Sequence, residues 1–210
     1  MVWRNRVARA VAGLAVVGLL LTAIQLVFST AGSAAPEVDI VPAIAPVWTD
    51  SWSATAHGDA NGFAQQTLRE LVRPAVSGSV ARIQLSNVFG DQPLVVADLH
   101  IAVATAGPAV APGTDREITF GGRLGTTIPA GGTAVSDAVT FPVAAGSTVA
   151  VSVYLPGGTG SATTDRSAAP DTFVAAGDVS AAGTLSDPRP VDGYRFLTDL
   201  DVRDSAAGAN

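Results

Sequence analysis

The sequence predicts an all-β domain, an antiparallel β-sandwich of the jelly-roll type, and two observations carry this prediction. Short segments in which polar and apolar residues alternate recur about every 8–15 residues, with turns rich in Gly, Pro and Asp between them. The composition agrees, because 22 Gly, 13 Pro and a charged fraction of only 14% favour strands and turns over helices. No strand-like segment alternates with long helices, so a parallel α/β sheet is not supported.

Residues 1–34 have the parts of a secretory signal peptide, with an apolar helix at its centre. Three Arg residues precede an apolar run from Leu14 to Phe28, and the small residues 31–34 provide a cleavage site. The alternative is an uncleaved membrane anchor formed by residues 10–28, although this run is short for a span of ~20 residues. We therefore expect a secreted protein that touches a membrane only if this segment stays uncleaved.

The remainder of the chain divides into three parts. Residues 35–47 are rich in Pro and Ala and predict an extended linker. The β-sandwich domain is then expected at residues 48–203. The last residues, 204–210, are small and polar, which is typical of a flexible tail.

The strands of the domain are predicted one by one from their alternation. Residues 63–72 also fit a short helix, but their alternation and the following turn at 77–79 favour a strand. Residues 94–104 show the clearest period of two, with Asp98 and His100 on the polar face. The predicted strands are 63–72, 80–85, 94–104, 117–120, 126–128, 138–143, 148–155, 172–175 and 194–202.

Charge and cysteine content exclude several classes of function. Cleavage after Ala34 removes three of the 12 Arg and no acid, which leaves 9 Arg against 18 acidic residues, a net charge of −9. Such a chain is not expected to bind nucleic acid or an anionic membrane surface, because both require a basic face. The absence of cysteine excludes disulfides, thiol catalysis and Cys-ligated zinc.

Sequence motifs for catalysis are absent as well. The chain contains no G-x-S-x-G elbow, no Gly-Asp-Ser block, no H-E-x-x-H and no Walker loop, so we expect no cofactor and no catalytic residue. It has two histidines. His57 lies in a predicted loop, 57–61, and His100 is predicted to be solvated on the polar face of its strand. A serine hydrolase would need one of them beside a serine hydroxyl.

The stretch "RIQLSNVFGDQPLVV" (82–96) contains three of the candidate interface residues. Ser86 and Asn87 are suited to hydrogen-bonding local backbone in a turn, and Gly90 allows a positive φ there. Arg82 is expected to pair with a carboxylate inside the domain or across an interface. These residues are predicted to form a hairpin turn that contacts a partner.

Two further groups of side chains are candidates for binding. Trp48 and Trp52 lie close together, which is more typical of a core or interface plug than of a sugar-stacking platform. Asp199 and Asp201 share one face of the last predicted strand, with Asp204 beyond. They are weak candidates for Ca²⁺, and the alternative is a solvated acidic face.

Six stretches also carry a resemblance. They are "WTDSW" (48–52), "QTLRELVRPAVSGSVARIQLSNVFGDQPL" (66–94), "PGTDREITFGG" (112–122), "IPAGGTAVSDAV" (128–139), "VAVSVYLPGGTG" (149–160) and "FVAAGD" (173–178). In this order they resemble the N-terminal region of secreted actinobacterial SGNH/GDSL hydrolases, which are esterase- or lipase-like. The Arg-x-x-Leu-Ser-Asn-x-x-Gly core and the Ile-Pro-Ala-Gly turn are its most specific elements.

The resemblance implies a β-sandwich that precedes a catalytic α/β domain opening with Gly-Asp-Ser. Neither that block nor the C-terminal Asp-x-x-His of the family occurs in this chain. Family members often carry Thr-x-His after the Pro-Gly-rich turn, whereas this sequence has Thr163-Thr164-Asp165. No catalytic residue is therefore carried over.

Three hypotheses follow from the sequence. The first is a non-catalytic module of an SGNH/GDSL-type hydrolase that docks on the catalytic domain, here a truncation, a fragment or a stand-alone relative. The second is a stand-alone module that binds polysaccharide or cell wall through Trp48 and Trp52. The third, a hydrolase built around His57, predicts ester turnover that is lost in His57→Ala.

Overall fold

The protein is described here from a computed structural model, which covers residues 47–166 and 172–204. Over this part of the chain the fold is all-β, and every strand pairing is antiparallel. None of the described residues forms a helix that is long and apolar enough to cross a membrane. The predicted signal peptide (1–34), nearly all of the linker (35–47) and nearly all of the tail (204–210) lie outside the described residues.

The described residues contain sixteen strands. In chain order they are β1 (Thr49–Ser53), β2 (His57–Asp59), β3 (Gln66–Val72), β4 (Gly78–Ser86), β5 (Leu94–Val96), β6 (Asp98–Val103), β7 (Arg116–Glu117), β8 (Thr126–Ile128), β9 (Thr133–Val135), β10 (Val139–Val143), β11 (Val149–Leu155), β12 (Ala162–Asp165), β13 (Thr172–Ala176), β14 (Arg189–Val191), β15 (Tyr194–Arg195) and β16 (Leu197–Arg203).

Two larger sheets and two small ones result from these pairings. The first sheet has the order β1-β16-β4-β10, and β9 pairs with the other end of β4 on the same side as β10. The second sheet has the order β14-β13-β3-β11-β6-β7. The small sheets are β15-β12-β2 and β5-β8.

One hydrophobic core joins the two larger sheets. It contains Ile83 and Leu200 from the first sheet and Leu68, Val151 and Ile101 from the second, all with no exposed surface. These residues alternate with polar residues along each strand, so their side chains point to a common face. Burial of this apolar face holds the two sheets against each other, since each such side chain contributes about 1.5–3 kcal/mol when fully buried.

The prediction that residues 63–72 are extended is confirmed, because β3 covers Gln66–Val72. Two segments that were each predicted as one continuous strand are each divided into two strands. Residues 94–104 divide at Ala97 into β5 and β6, which belong to different sheets. Residues 194–202 divide at Phe196, whose φ of 63° interrupts the extended backbone between β15 and β16.

Shorter discrepancies concern loops and edges. The predicted strand 117–120 is reduced to the two residues of β7, which lies at the edge of the second sheet. The predicted loop at 57–61 contains the three-residue strand β2, which pairs with β12. Such short pairings depend on long-range partners, so the local alternation of the sequence contains no signal for them.

Candidate functional site

A row of polar side chains crosses the outer face of the second sheet. Strand register places Arg69 opposite Ser152, Ser152 opposite His100, and His100 opposite Glu117 on four adjacent strands. Directly opposed residues of antiparallel strands project to the same face of a sheet. We refer to Arg69, Ser152, His100 and Glu117 as the polar row.

Arg69 lies at one end of the polar row and is almost fully buried. Its Nε donates to Ser152 Oγ at 2.8 Å, and its terminal nitrogens donate to backbone carbonyls of the loops that cover the sheet. Those carbonyls belong to Pro108, Ser180 and Ala182, at 2.8–3.0 Å. Burial lowers the pKa of Arg69, and the carboxylate of Asp115 opposes this shift. Arg69 thus fixes two loops over the sheet.

His100 is buried beneath these loops, with only 7% of its side chain exposed. Its Nδ1 lies 2.8 Å from Asp115 Oδ2, and its Nε2 lies 3.2 Å from Asp98 Oδ2. The prediction that His100 is solvated is therefore wrong. Its strand face was assigned correctly as the polar one, but the covering loops remove that face from water.

Ser180 extends the contacts of Asp98 into the covering loop. Its hydroxyl oxygen lies 2.8 Å from Asp98 Oδ2 and 2.6 Å from Asp178 Oδ1. Together with the His100 contacts, this makes a continuous chain of polar groups from Asp115 to Asp178. Ser180 and His100 are buried, whereas Asp98 and Asp115 are partly exposed and Asp178 is exposed.

Three groups of this cluster are suited to hold a metal ion. One ligand atom each from Asp98, His100 and Glu117 lie within 4.8 Å of one another. The weak candidates for a metal site predicted from the sequence were Asp199 and Asp201 instead. Both of these carboxylates already contact other side chains, since Asp199 accepts a hydrogen bond from Gln84 at 2.5 Å and Asp201 pairs with Arg82.

The candidate interface residue Arg82 lies on β4 and faces β16. Its guanidinium pairs with Asp201 at 2.7 Å, directly opposite in the strand register. It also lies over the ring of Trp48, 4.4 Å from the centroid, and Arg203 lies 4.9 Å from the same centroid. Cation–π contacts of this kind contribute about 0.5–1 kcal/mol at exposed sites. The carboxylate partner expected for Arg82 is thus one within the domain.

Trp52, the other tryptophan of the candidate pair, packs into the domain. Its ring meets that of Tyr194 edge-on, with 4.6 Å between centroids, and contacts the core. Both tryptophan rings are therefore engaged by neighbouring side chains. This packing does not favour a flat, open platform for sugar stacking.

The predicted turn after β4 is present, and its polar residues face inward. Ser86 is buried, and its hydroxyl accepts a hydrogen bond from the backbone N–H of Val88 at 3.3 Å. Asn87 has no exposed surface. Its Nδ2 donates to the carbonyls of Gln92 at 2.9 Å and of Ile128 at 3.1 Å. Both side chains hold backbone, as the sequence predicted for a turn.

Gly90 contributes to this turn for a different reason from the one expected. Gly90 does not adopt the positive φ that glycine allows, since it is not among the glycines with left-handed backbone. A Cβ at this position would instead collide with the side-chain amide of Asn87. Glycine is needed here for close approach.

Two apolar residues of the turn are exposed, next to the exposed polar residues Asp91 and Gln92. Val88 is 44% exposed and Phe89 is 46% exposed, and the backbone N–H of Phe89 donates to Thr163 Oγ1 at 3.1 Å. The ring of Phe89 also lies against Gly58. The sequence indicated the turn but not these two residues, since an apolar pair in a predicted hairpin gives no sign of which side chains face outward.

His57, the other histidine, is exposed on β2. Its Nδ1 lies 2.9 Å from the carbonyl oxygen of Thr55. Over residues 47–166 and 172–204, neither histidine ring forms a hydrogen bond with a serine hydroxyl. The geometry expected of a serine–histidine catalytic pair is not seen in that part of the chain.

A buried acid in β3 was also missed by the sequence reasoning. Glu70 is fully enclosed, and both its carboxylate oxygens lie 3.2 Å from the backbone nitrogen of Arg195. Burial raises the pKa of Glu70 well above its usual value, although the Arg195 N–H and its charge oppose this. The Arg195 guanidinium in turn contacts Thr164 and lies 3.5 Å from Asp59. These contacts join β15, β12 and β2 to the second sheet.

No family model matches the chain, and no curated protein matches it.

Proposed function

We propose that this chain is a non-catalytic accessory module of a secreted SGNH/GDSL-type hydrolase, and that it docks on the hydrolase domain. In this proposal the two larger sheets are the layers of a jelly-roll-like β-sandwich. The antiparallel pairing and the single core between the sheets support that arrangement. The family assignment rests on the sequence stretches that resemble the N-terminal region of such hydrolases.

The observation that carries the docking role is the exposed pair Val88 and Phe89 on an anchored turn. The side-chain amide of Asn87 holds the turn, and the backbone N–H of Phe89 donates to Thr163 Oγ1. A pre-ordered apolar projection loses little entropy on binding, and buried aromatic anchors dominate protein interfaces. We therefore assign this turn to the binding of a protein surface and not to catalysis.

The histidine geometry supports a role without catalysis. His57 faces a backbone carbonyl, and His100 is enclosed by two carboxylates. Within the described part of the chain, neither has the serine partner that acyl transfer requires. We therefore expect the purified protein to release no p-nitrophenol from p-nitrophenyl esters above background.

Binding to a catalytic domain tests the proposal. The partner is an SGNH/GDSL catalytic domain from the same genome, preferably one encoded by a downstream frame with a Gly-Asp-Ser block. We expect a 1:1 complex by calorimetry with a Kd of about 1 µM or tighter. Phe89→Asp should weaken it at least tenfold, roughly 1.4 kcal/mol, because a charge replaces the apolar anchor.

Leu124→Asp is the matched control. Leu124 is 59% exposed and lies in a different loop, between β7 and β8, so the substitution adds the same charge away from the turn. It should leave the Kd unchanged. The proposal fails if no such catalytic domain binds, or if both variants weaken binding equally.

A further inference from the structure

We propose that Asp98, His100 and Glu117 form a binding site for a divalent transition-metal ion, with Zn²⁺ the best-suited ion. The three ligand atoms lie within 4.8 Å of one another on neighbouring strands. The buried imidazole, rather than the number of acidic residues, marks the site. Nothing in the proposed docking role requires this ion.

The two nitrogens of His100 face more acceptors than a neutral ring can serve. Neutral imidazole carries one N–H, and the shorter contact, to Asp115 at 2.8 Å, places it on Nδ1. The Nε2 lone pair then faces Asp98 Oδ2 at 3.2 Å. Two lone pairs at this distance repel each other unless a proton or a cation lies between them.

The same spacing fits two ligands of one metal ion. Zn–N and Zn–O distances of about 2.0–2.2 Å place neighbouring ligand atoms about 3.0–3.5 Å apart. The 3.2 Å between Nε2 and Asp98 Oδ2 lies in this interval. Asp115 would hold the Nδ1–H and orient the ring, as a carboxylate does behind many metal-bound histidines.

The buried guanidinium of Arg69 does not supply a cation between Nε2 of His100 and Asp98. Arg69 is the polar-row residue on β3, and its hydrogen bonds go to Ser152 Oγ and to backbone carbonyls. Its charge interacts with Asp115, which contacts Nδ1 of His100, whereas Asp98 contacts Nε2. A bound cation would balance Asp98 and Glu117 directly.

Glu117 is placed to complete the site. It lies opposite His100 in the register of β6 and β7 and is exposed, so its side chain is able to turn toward Nε2 without disturbing the core. One imidazole with carboxylates favours Zn²⁺ over Ca²⁺, which prefers oxygen ligands alone. The ion would tie the two-residue edge strand β7 to β6.

Calorimetric titration with ZnCl₂ tests the site, using protein that has been treated with EDTA and dialysed. We expect one Zn²⁺ per chain, and Glu117→Gln should weaken its binding at least about tenfold. Because Glu117 is exposed, this variant is expected to fold normally, which circular dichroism checks. His100→Asn should abolish binding.

Two controls separate this site from non-specific association. His57→Asn removes the other histidine, and Asp50→Asn removes one exposed carboxylate from β1 of the first sheet. Both should retain the wild-type Kd. In ¹⁵N spectra, Zn²⁺ should shift Nε2 of His100 and leave His57 unchanged. The proposal is overturned if wild type does not bind, if Glu117→Gln binds as tightly as wild type, or if His57→Asn loses binding.

Discussion

Asn87→Ala is predicted to cost more stability than any other single truncation in the turn after β4. The Asn87 side chain is buried and donates two hydrogen bonds, to the carbonyls of Gln92 and Ile128. Its orientation is determined, because the opposite one would turn the amide oxygen toward both carbonyls. Alanine would leave two carbonyls without their donor.

The magnitude follows from the number of groups left unpaired. The buried Ile128 carbonyl costs about 1–3 kcal/mol when it loses its donor, and the partly exposed Gln92 carbonyl costs less because water reaches it. Against this, Asn87 Oδ1 is itself buried without a partner, and its removal relieves that penalty. The net expected loss is therefore about 2 kcal/mol in the free energy of unfolding. Ser86→Ala removes one long contact of 3.3 Å and should cost below about 1 kcal/mol.

Equilibrium unfolding in urea measures both variants, and a double-mutant cycle with Gly90→Ala tests the packing. Alone, Gly90→Ala should cost about 1–3 kcal/mol, because the new methyl group collides with the Asn87 amide. In the Asn87→Ala background that obstacle is gone, so most of the cost should disappear. If Asn87→Ala costs no more than Ser86→Ala, or if the two effects simply add, the reasoning is wrong.

Two further predictions concern charged groups. Burial raises the pKa of Glu70, so the folded state keeps a proton that the unfolded chain releases. The folded state is therefore most stable below the usual pKa of 4.5, and the contribution of Glu70 is lost as the pH rises through the raised pKa. Glu70→Gln should remove this decline in the free energy of unfolding. If the free energy of unfolding falls equally in wild type and in Glu70→Gln between pH 4 and pH 9, the prediction is wrong. Arg82→Met removes the partly exposed pair with Asp201 and the contact with Trp48, and should cost about 1 kcal/mol or less by thermal unfolding. A loss above about 3 kcal/mol would show that Arg82 has a larger structural role than these contacts provide.

The strands that the sequence predicted well are those whose pattern is local. β4 alternates between polar and apolar residues over residues 82–86, β11 has Val at every second position from Val149 to Val153, and both strands lie in the interior of a sheet. The breaks at Ala97 and Phe196 were missed, because each depends on which neighbour the next residues pair with. Sheet membership is a long-range property, and alternation carries no information about it.

The candidate site shows the same limit. The turn at Ser86 and Asn87 could be predicted, since those residue types bond local backbone. The burial of His100 could not, because the groups that cover it come from Asp115 and Ser180, 15 and 80 positions away in the sequence. Alternation assigned the strand face correctly, but it does not distinguish a face open to water from one that loops enclose.

The two proposals rest on separate parts of the fold, and this makes them independently testable. Phe89 follows β4 of the first sheet, whereas Glu117 lies on β7 at the edge of the second. Each can be changed without removing a hydrogen bond of the other group. Phe89→Asp should therefore leave Zn²⁺ binding unchanged, and Glu117→Gln should leave docking unchanged. If both substitutions impaired both properties, a general loss of folding would explain the results better than either site.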